Sequence, residues 1–201
     1  MGSKEIRQPV QKRSIEKKKR IIEAAFKLIC EKGYHNTNTA EIAKAAGVST
    51  GIVYNYFKDK KDIFIAIVLY YADTIIQPIY KKLENINSPL NFQESVREFI
   101  NMSVNSHTIS EAAHEEMMAM SHSDKDVAEL FKNFEINAVN TFVKLLERNG
   151  ITAPDMREKV FIAIGLVEKI CHEIAMQRHS SLNYDVMTDE IVNIITHMIK
   201  S

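Results

Sequence analysis

Seven histidines and two cysteines are the side chains of this 201-residue sequence best suited to metal or nucleophile chemistry. His107, His114 and His122 stand seven and eight residues apart, so on one continuous helix they would share roughly one face, beside Glu115 and Glu116. His172 and Glu168 are four apart. A metal centre requires three or four such groups to converge. The same spacing suits histidines that are exposed, hydrogen-bonded, or placed to orient an organic ligand, and no metal or cofactor is expected. Cys30 and Cys171 belong to no CxxC pair and sit in apolar, helical surroundings, which favours buried thiols over a disulfide. No P-loop, G-x-S-x-G or HExxH is present, and no nucleophile stands at a meaningful spacing from a base, so enzyme activity is not expected.

Charge offers a second kind of chemistry. The formal net charge is zero, yet residues 1–62 hold 14 Lys and Arg against 7 Asp and Glu, and the remaining 139 hold 12 against 19. A basic module joined to an acidic one suggests that one end meets a polyanion, the alternative being a solvated basic helix face. Lys12-Arg13 and Lys17-Lys18-Lys19-Arg20 concentrate that charge. The four at 17–20 open a helix and favour phosphate proximity. The stretch Lys4 to Arg13 suits a basic arm or a solvated tail equally.

Periodicity is helical almost throughout. A first helix over about Ser14 to Glu31 carries Ile21, Ile22, Ala25, Phe26, Leu28 and Ile29 as one buried stripe and stops at Gly33. Asn38 and Glu41 form a capping box for a short helix to Ala46, Gly47 makes a turn, and Ser49 can cap a third helix over about Thr50 to Phe57. A fourth runs from about Asp59 to Leu83, with Pro78 as a kink or break. Further helices are expected at about 92–108, 110–120, 125–148, 155–177 and 185–199.

Residues 36–64, NTNTAEIAKAAGVSTGIVYNYFKDKKDIF, thus read as helix, tight turn, helix. Gly33-Tyr34, Thr37-Asn38, Ile42-Ala43, Ala46-Gly47-Val48-Ser49, Gly51, Tyr54, Phe57 and Lys60 resemble the DNA-binding domain of the TetR family of repressors over about residues 15–64. Asn38 departs from the more usual Ser or Thr, but it caps equally well. The resemblance implies that Thr50, Gly51 and Ile52 face base edges in the major groove. It also implies that Tyr54, Tyr56, Lys60, Asn38 and Thr39 contact phosphates. With so few reading groups, DNA shape should supply a sizeable share of specificity.

The acidic remainder carries no motif that names a ligand. Phe99, Met102, His107, His114, Met117, Met118 and Phe134 are candidates to line an apolar pocket, though ordinary core packing accounts for any one of them. The last two helices bear apolar stripes: Val160, Phe161, Ile164, Val167 and Ile170, then Ile191, Ile194, Ile195 and Met198. The resemblance implies that these helices pair with their symmetry mates in a homodimer.

The expectation is an all-α protein of about nine helices. Residues 1–13 form a basic arm, 14–62 a three-helix DNA-binding domain, and 63–201 a helical effector-binding and dimerisation domain. Its partners would be double-stranded operator DNA, a small and largely apolar effector, and a second copy of itself. The polar, basic start and the lack of an apolar run near eighteen residues point to a cytoplasmic protein with no membrane partner. The alternative is an architectural or division-linked DNA-binding protein whose C-terminal part contacts another protein.

Overall fold

The computed structural model describes residues 12–84, 91–109, 111–177 and 179–201, apart from the side chains of 83, 84, 106–109 and 111. These residues are helical, with no strand among them. Helices α1 (Lys12–Lys32), α2 (Thr39–Ala45) and α3 (Thr50–Val53) come first. Helix α4 (Lys60–Tyr71) runs through a π-helical turn, Ala72–Ile76, into α5 (Gln77–Glu84). Then follow α6 (Phe92–Ile109), α7 (Glu111–Ser123), α8 (Lys125–Arg148), α9 (Met156–Met176) and α10 (Tyr184–Lys200). With Lys60 to Glu84 counted as one run, the described residues form nine helices.

Pro78 explains the widened turn. A proline inside a helix lacks its N–H, and its ring collides with the carbonyl four residues back, here that of Thr74. The π turn covers that residue, so the helix accommodates the proline by taking in an extra residue and does not break.

Two compact units emerge. The first runs to Thr74 and takes in Ala112–Met120; the second comprises Ile75–Glu111 and Ser121–Ser201. The boundary between the units falls inside the π turn, and a piece of α7 joins the first unit. Periodicity could not show this, because a returning segment is apolar for the same reason as any core helix.

In the first unit α1 packs on α2 and α4, and α2 on α3; Ile21, Ala25 and Ile29 of α1, Ile42 of α2, Val53 of α3 and Phe64 of α4 are all 2% exposed or less. In the second, α9 packs on α6, α8 and α10. Its core includes Ile100, Val139, Ile170, Cys171, Val192 and Ile199. Lys60–Lys82 is apolar and long enough by composition to cross a membrane, which corrects the expectation of no such run. Ile63, Phe64, Ile67, Val68 and Tyr71 within it are buried core residues.

Neither cysteine is in a disulfide. The Cys171 Sγ donates to the Ile100 carbonyl at 3.6 Å, and burial, helped by the Glu168 charge, pushes its pKa to about 12. It is an unreactive thiol at neutral pH.

Candidate nucleic-acid interface

The geometry of the helix-turn-helix is fixed by its ends. Asn38 caps α2 reciprocally: its Oδ1 accepts the Glu41 N–H at 3.0 Å and its own N–H donates to Glu41 Oε2 at 3.1 Å. Lys32 pairs with the same carboxylate at 2.7 Å. That hydrogen bond, followed by the one from the Asn38 backbone, lowers the Glu41 pKa. At the other end of α2, Gly47 takes φ +66°. The Gly47 N–H then reaches the Lys44 carbonyl, and the Val48 N–H reaches that of Ala43. Both are Schellman bonds, which close the helix and turn the chain towards α3.

Ser49 departs from expectation. Its side chain makes no capping hydrogen bond; only its carbonyl joins the next helix, accepting from Ile52 and Val53. Helix α3 itself is a single turn, Thr50–Val53. The bonds from Tyr54 to Thr50 and from Phe57 to Val53 carry helical geometry onward without a continuous helix. Val53 and Phe57 point inward, whereas Tyr54 is 46% exposed.

The predicted contact residues divide in two. Asn38, Gly51 and Tyr54 are exposed, and Thr39, Thr50, Ile52 and Lys60 are half-buried, so seven of the eight leave accessible surface. Tyr56 does not: it is buried, and its hydroxyl lies 2.8 Å from Ser14 Oγ, linking this segment to α1. Lys60 is also engaged inside the unit. Its ammonium donates to the carbonyls of Tyr34 (2.8 Å) and Thr37 (2.9 Å), with His35 at 3.5 Å, and lies 4.2 Å from the centre of the Tyr34 ring. Both residues brace the unit's internal geometry.

Two exposed residues were passed over. Asn55 and Lys58 fall with Gly51 and Tyr54 at i, i+3, i+4 and i+7, and all four are exposed. Following the helical phase through the turn would have found them. Gly51 itself has no internal need to be glycine. Its φ is not positive, and an added Cβ would meet only Ser49 Oγ, at 4.0 Å. Beside this surface, α1 shows Arg13, Lys19 and Arg20 to solvent, and Lys18 Nζ stands 5.5 Å from the Phe57 ring centre.

The predicted ligand residues are divided between the two units. Phe99, Met102 and Phe134 belong to the second unit; His114, Met117 and Met118 belong to the first. The side chain of His107 lies outside the described residues. The second unit does hold a cavity of about 80 Å³ between α6, α8, α9 and α10, and of the predicted set only Phe99 lines it. There Phe99 meets Phe142 edge-on at 4.9 Å, and Phe142 meets Tyr80 at 5.7 Å. Burial and then the Glu168 charge raise the Tyr80 pKa to about 12.

Val160, Ile164, Val167 and Ile195, read from sequence as dimer stripe, line that cavity instead. The apolar residues left outside on these helices are Phe161, Ile162, Val186 and Ile194. Because α9 is apolar on more than one side, periodicity could not separate its two faces. Among the described residues no three His, Cys, Asp or Glu side chains gather as metal ligands would.

Residues 21–67 match the family described as bacterial regulatory proteins, tetR family. A stretch of 75 residues is 41% identical to the HTH-type transcriptional regulator HbdR of Aromatoleum sp. (strain CIB), covering 37% of this chain and 33% of that one. Another, of 47 residues, is 51% identical to the fatty acid metabolism regulator protein of Bacillus subtilis (strain 168), covering 23% and 24%. The chain thus matches a third or less of the length of these relatives. The structure of Salmonella enterica GusR superposes with a TM-score of 0.73 at 19% identity, over 96% of this chain and 100% of that one, so the likeness in fold extends beyond the helix-turn-helix. Residues 21–67 therefore resemble the DNA-binding domain of the tetR family of bacterial regulatory proteins.

Proposed function

We propose that the protein is a transcriptional repressor that binds a palindromic operator as a homodimer and leaves it when an apolar small molecule enters the second unit. The carrying observation is the surface around Gly51. A capped helix and a Schellman turn present an exposed glycine flanked by Thr50, Tyr54 and Asn55, and nothing inside the protein requires that glycine. A bare backbone at that point suits close approach to a groove, with neighbouring side chains on base edges and phosphates.

Two features support the finer reading. Among the residues lining the second unit's cavity, Ser95 alone has a polar side chain, which favours a largely apolar ligand. Phe161, Ile162, Val186 and Ile194 are about half exposed on α9 and α10, and Gly165 has open space where a Cβ would stand. A second copy laid on this face would bury them, with Gly165 allowing the helices to approach. Ligand and operator then favour different populations of one dimer.

Enrichment of a randomised duplex pool by the full-length chain tests the reading. Recovery of an inverted repeat is expected, and recovery of sequence-blind DNA alone would overturn it.

A further inference from the structure

The two glycine turns of the first unit end differently. After α2 both Schellman bonds form, and the backbone satisfies itself. After α1, Gly33 adopts φ +82° and its N–H returns to the Ile29 carbonyl at 2.8 Å, which is the simpler left-handed cap. The next amide is the Tyr34 N–H. The Glu116 carboxylate of α7 takes it at 2.9 Å.

The same residue is gripped from its other side, where Lys60 donates to the Tyr34 carbonyl at 2.8 Å. An anion therefore holds the donor of residue 34 and a cation holds its acceptor. The hold extends onward. Thr37, 2% exposed, bonds back to the Gly33 carbonyl at 2.9 Å, and the next residue is Asn38, the cap of α2. Gly33 is also closed to a side chain, since a Cβ would fall 2.7 Å from Glu116 Oε1.

We propose that Glu116 is a positioning residue for DNA binding: it fixes the α1–α2 turn, and through it α2 and α3, from a helix whose ends belong to the second unit. Residues 112–120 belong to the first unit, while Glu111 and Ser121 on either side belong to the second. The proposal rests on the reading that α2 and α3 bind DNA.

The test uses the full-length wild type, Glu116→Ala and Glu116→Gln. Affinity is read by anisotropy, across a salt series, on the duplex that the wild type enriches from a random pool. Amide hydrogen exchange over residues 34–38 is read alongside, without DNA. Glu116→Ala is expected to weaken binding by about tenfold, the scale of a charge-assisted hydrogen bond. The salt slope should not change, because no phosphate contact is lost. Exchange at 34–38 should quicken. Glu116→Gln retains an acceptor oxygen and should stay within about threefold of wild type.

Simple electrostatics predicts the opposite sign, since removing an anion near DNA tightens binding. Equal tightening in both variants, or wild-type affinity with unchanged exchange in Glu116→Ala, would overturn the proposal. If the wild type enriches no duplex, it is the DNA-binding reading that fails, and exchange at 34–38 still decides whether Glu116 holds the turn.

Discussion

In the first unit the geometry rests on directed polar contacts. Asn38 and Glu41 cap each other, Asp59 caps α4 through the Asp62 amide, Lys60 gathers the carbonyls of the 34–37 turn, and Ser14 meets Tyr56. In the second unit the elements meet through aliphatic and aromatic surfaces around a cavity, with polar ties such as Arg97 to Asp189 and Gln93 to Asn193 lying exposed. Hydrogen bonds have one good arrangement, whereas apolar packing tolerates several at similar energy. A unit that must present fixed groups to a regular polymer gains from the first. A unit that must admit a guest and change shape gains from the second.

The largest expected effects test this contrast directly. Phe64, fully buried in the first unit, should cost about 3–5 kcal/mol when truncated to alanine, whereas Phe142→Ala should cost less because that ring already borders a void. Urea unfolding followed by circular dichroism measures both, and the reverse order would break the comparison.

A pair of glycines should then move in opposite directions. Gly33→Ala places a side chain at φ +82° against Glu116 and should destabilise by about 1–3 kcal/mol. Gly165→Ala, within α9 and facing open space, should stabilise the protomer by up to about 1 kcal/mol. Gly165→Leu should weaken self-association in sedimentation, and undiminished association would remove α9 from the proposed interface.

A cap is smaller again. Asn38→Ala should cost about 1 kcal/mol in thermal unfolding, and Asn38→Ser should restore most of it. A pH dependence in the second unit tests its one buried carboxylate among the described residues. Hydrogen bonds from Lys169 and then His179 lower the Glu173 pKa from 4.5 to about 2. A folded pKa below the unfolded one means stability that is complete above about pH 4.5 and is lost as pH falls towards 2. Glu173→Gln should flatten this part of the profile, and an unchanged slope would count against the pairing.

Much of the first unit was legible because its signals are local. Asn38 and Glu41 announce a cap three residues apart, and Gly33 and Gly47 mark left-handed turns where the structure has them. Missed there were contacts between residues distant in sequence. Lys60 reads as a free cation until the 34–37 turn folds onto it, and Tyr56 reads as exposed until Ser14 approaches. The second unit offered helix boundaries within one to three residues, including 125–148 for α8. It did not offer facing. Val160 and Phe161 are adjacent and both apolar, yet one is buried and the other 55% exposed. Likewise His114 and Met117 share a region of sequence with Met102 but belong to the other unit, because chain order does not report a helix that returns.

The central claim is that the surface at Gly51 enters a DNA groove, and the substitution Gly51→Leu tests it most directly. The space above Gly51 is open in the protein, so the variant should fold with wild-type circular dichroism and thermal midpoint. On the enriched duplex, anisotropy should show a loss of affinity of roughly a hundredfold, on the scale of about two lost or blocked base contacts, leaving the weak, salt-sensitive binding that any duplex elicits. Binding by Gly51→Leu with wild-type affinity and sequence preference would contradict the account.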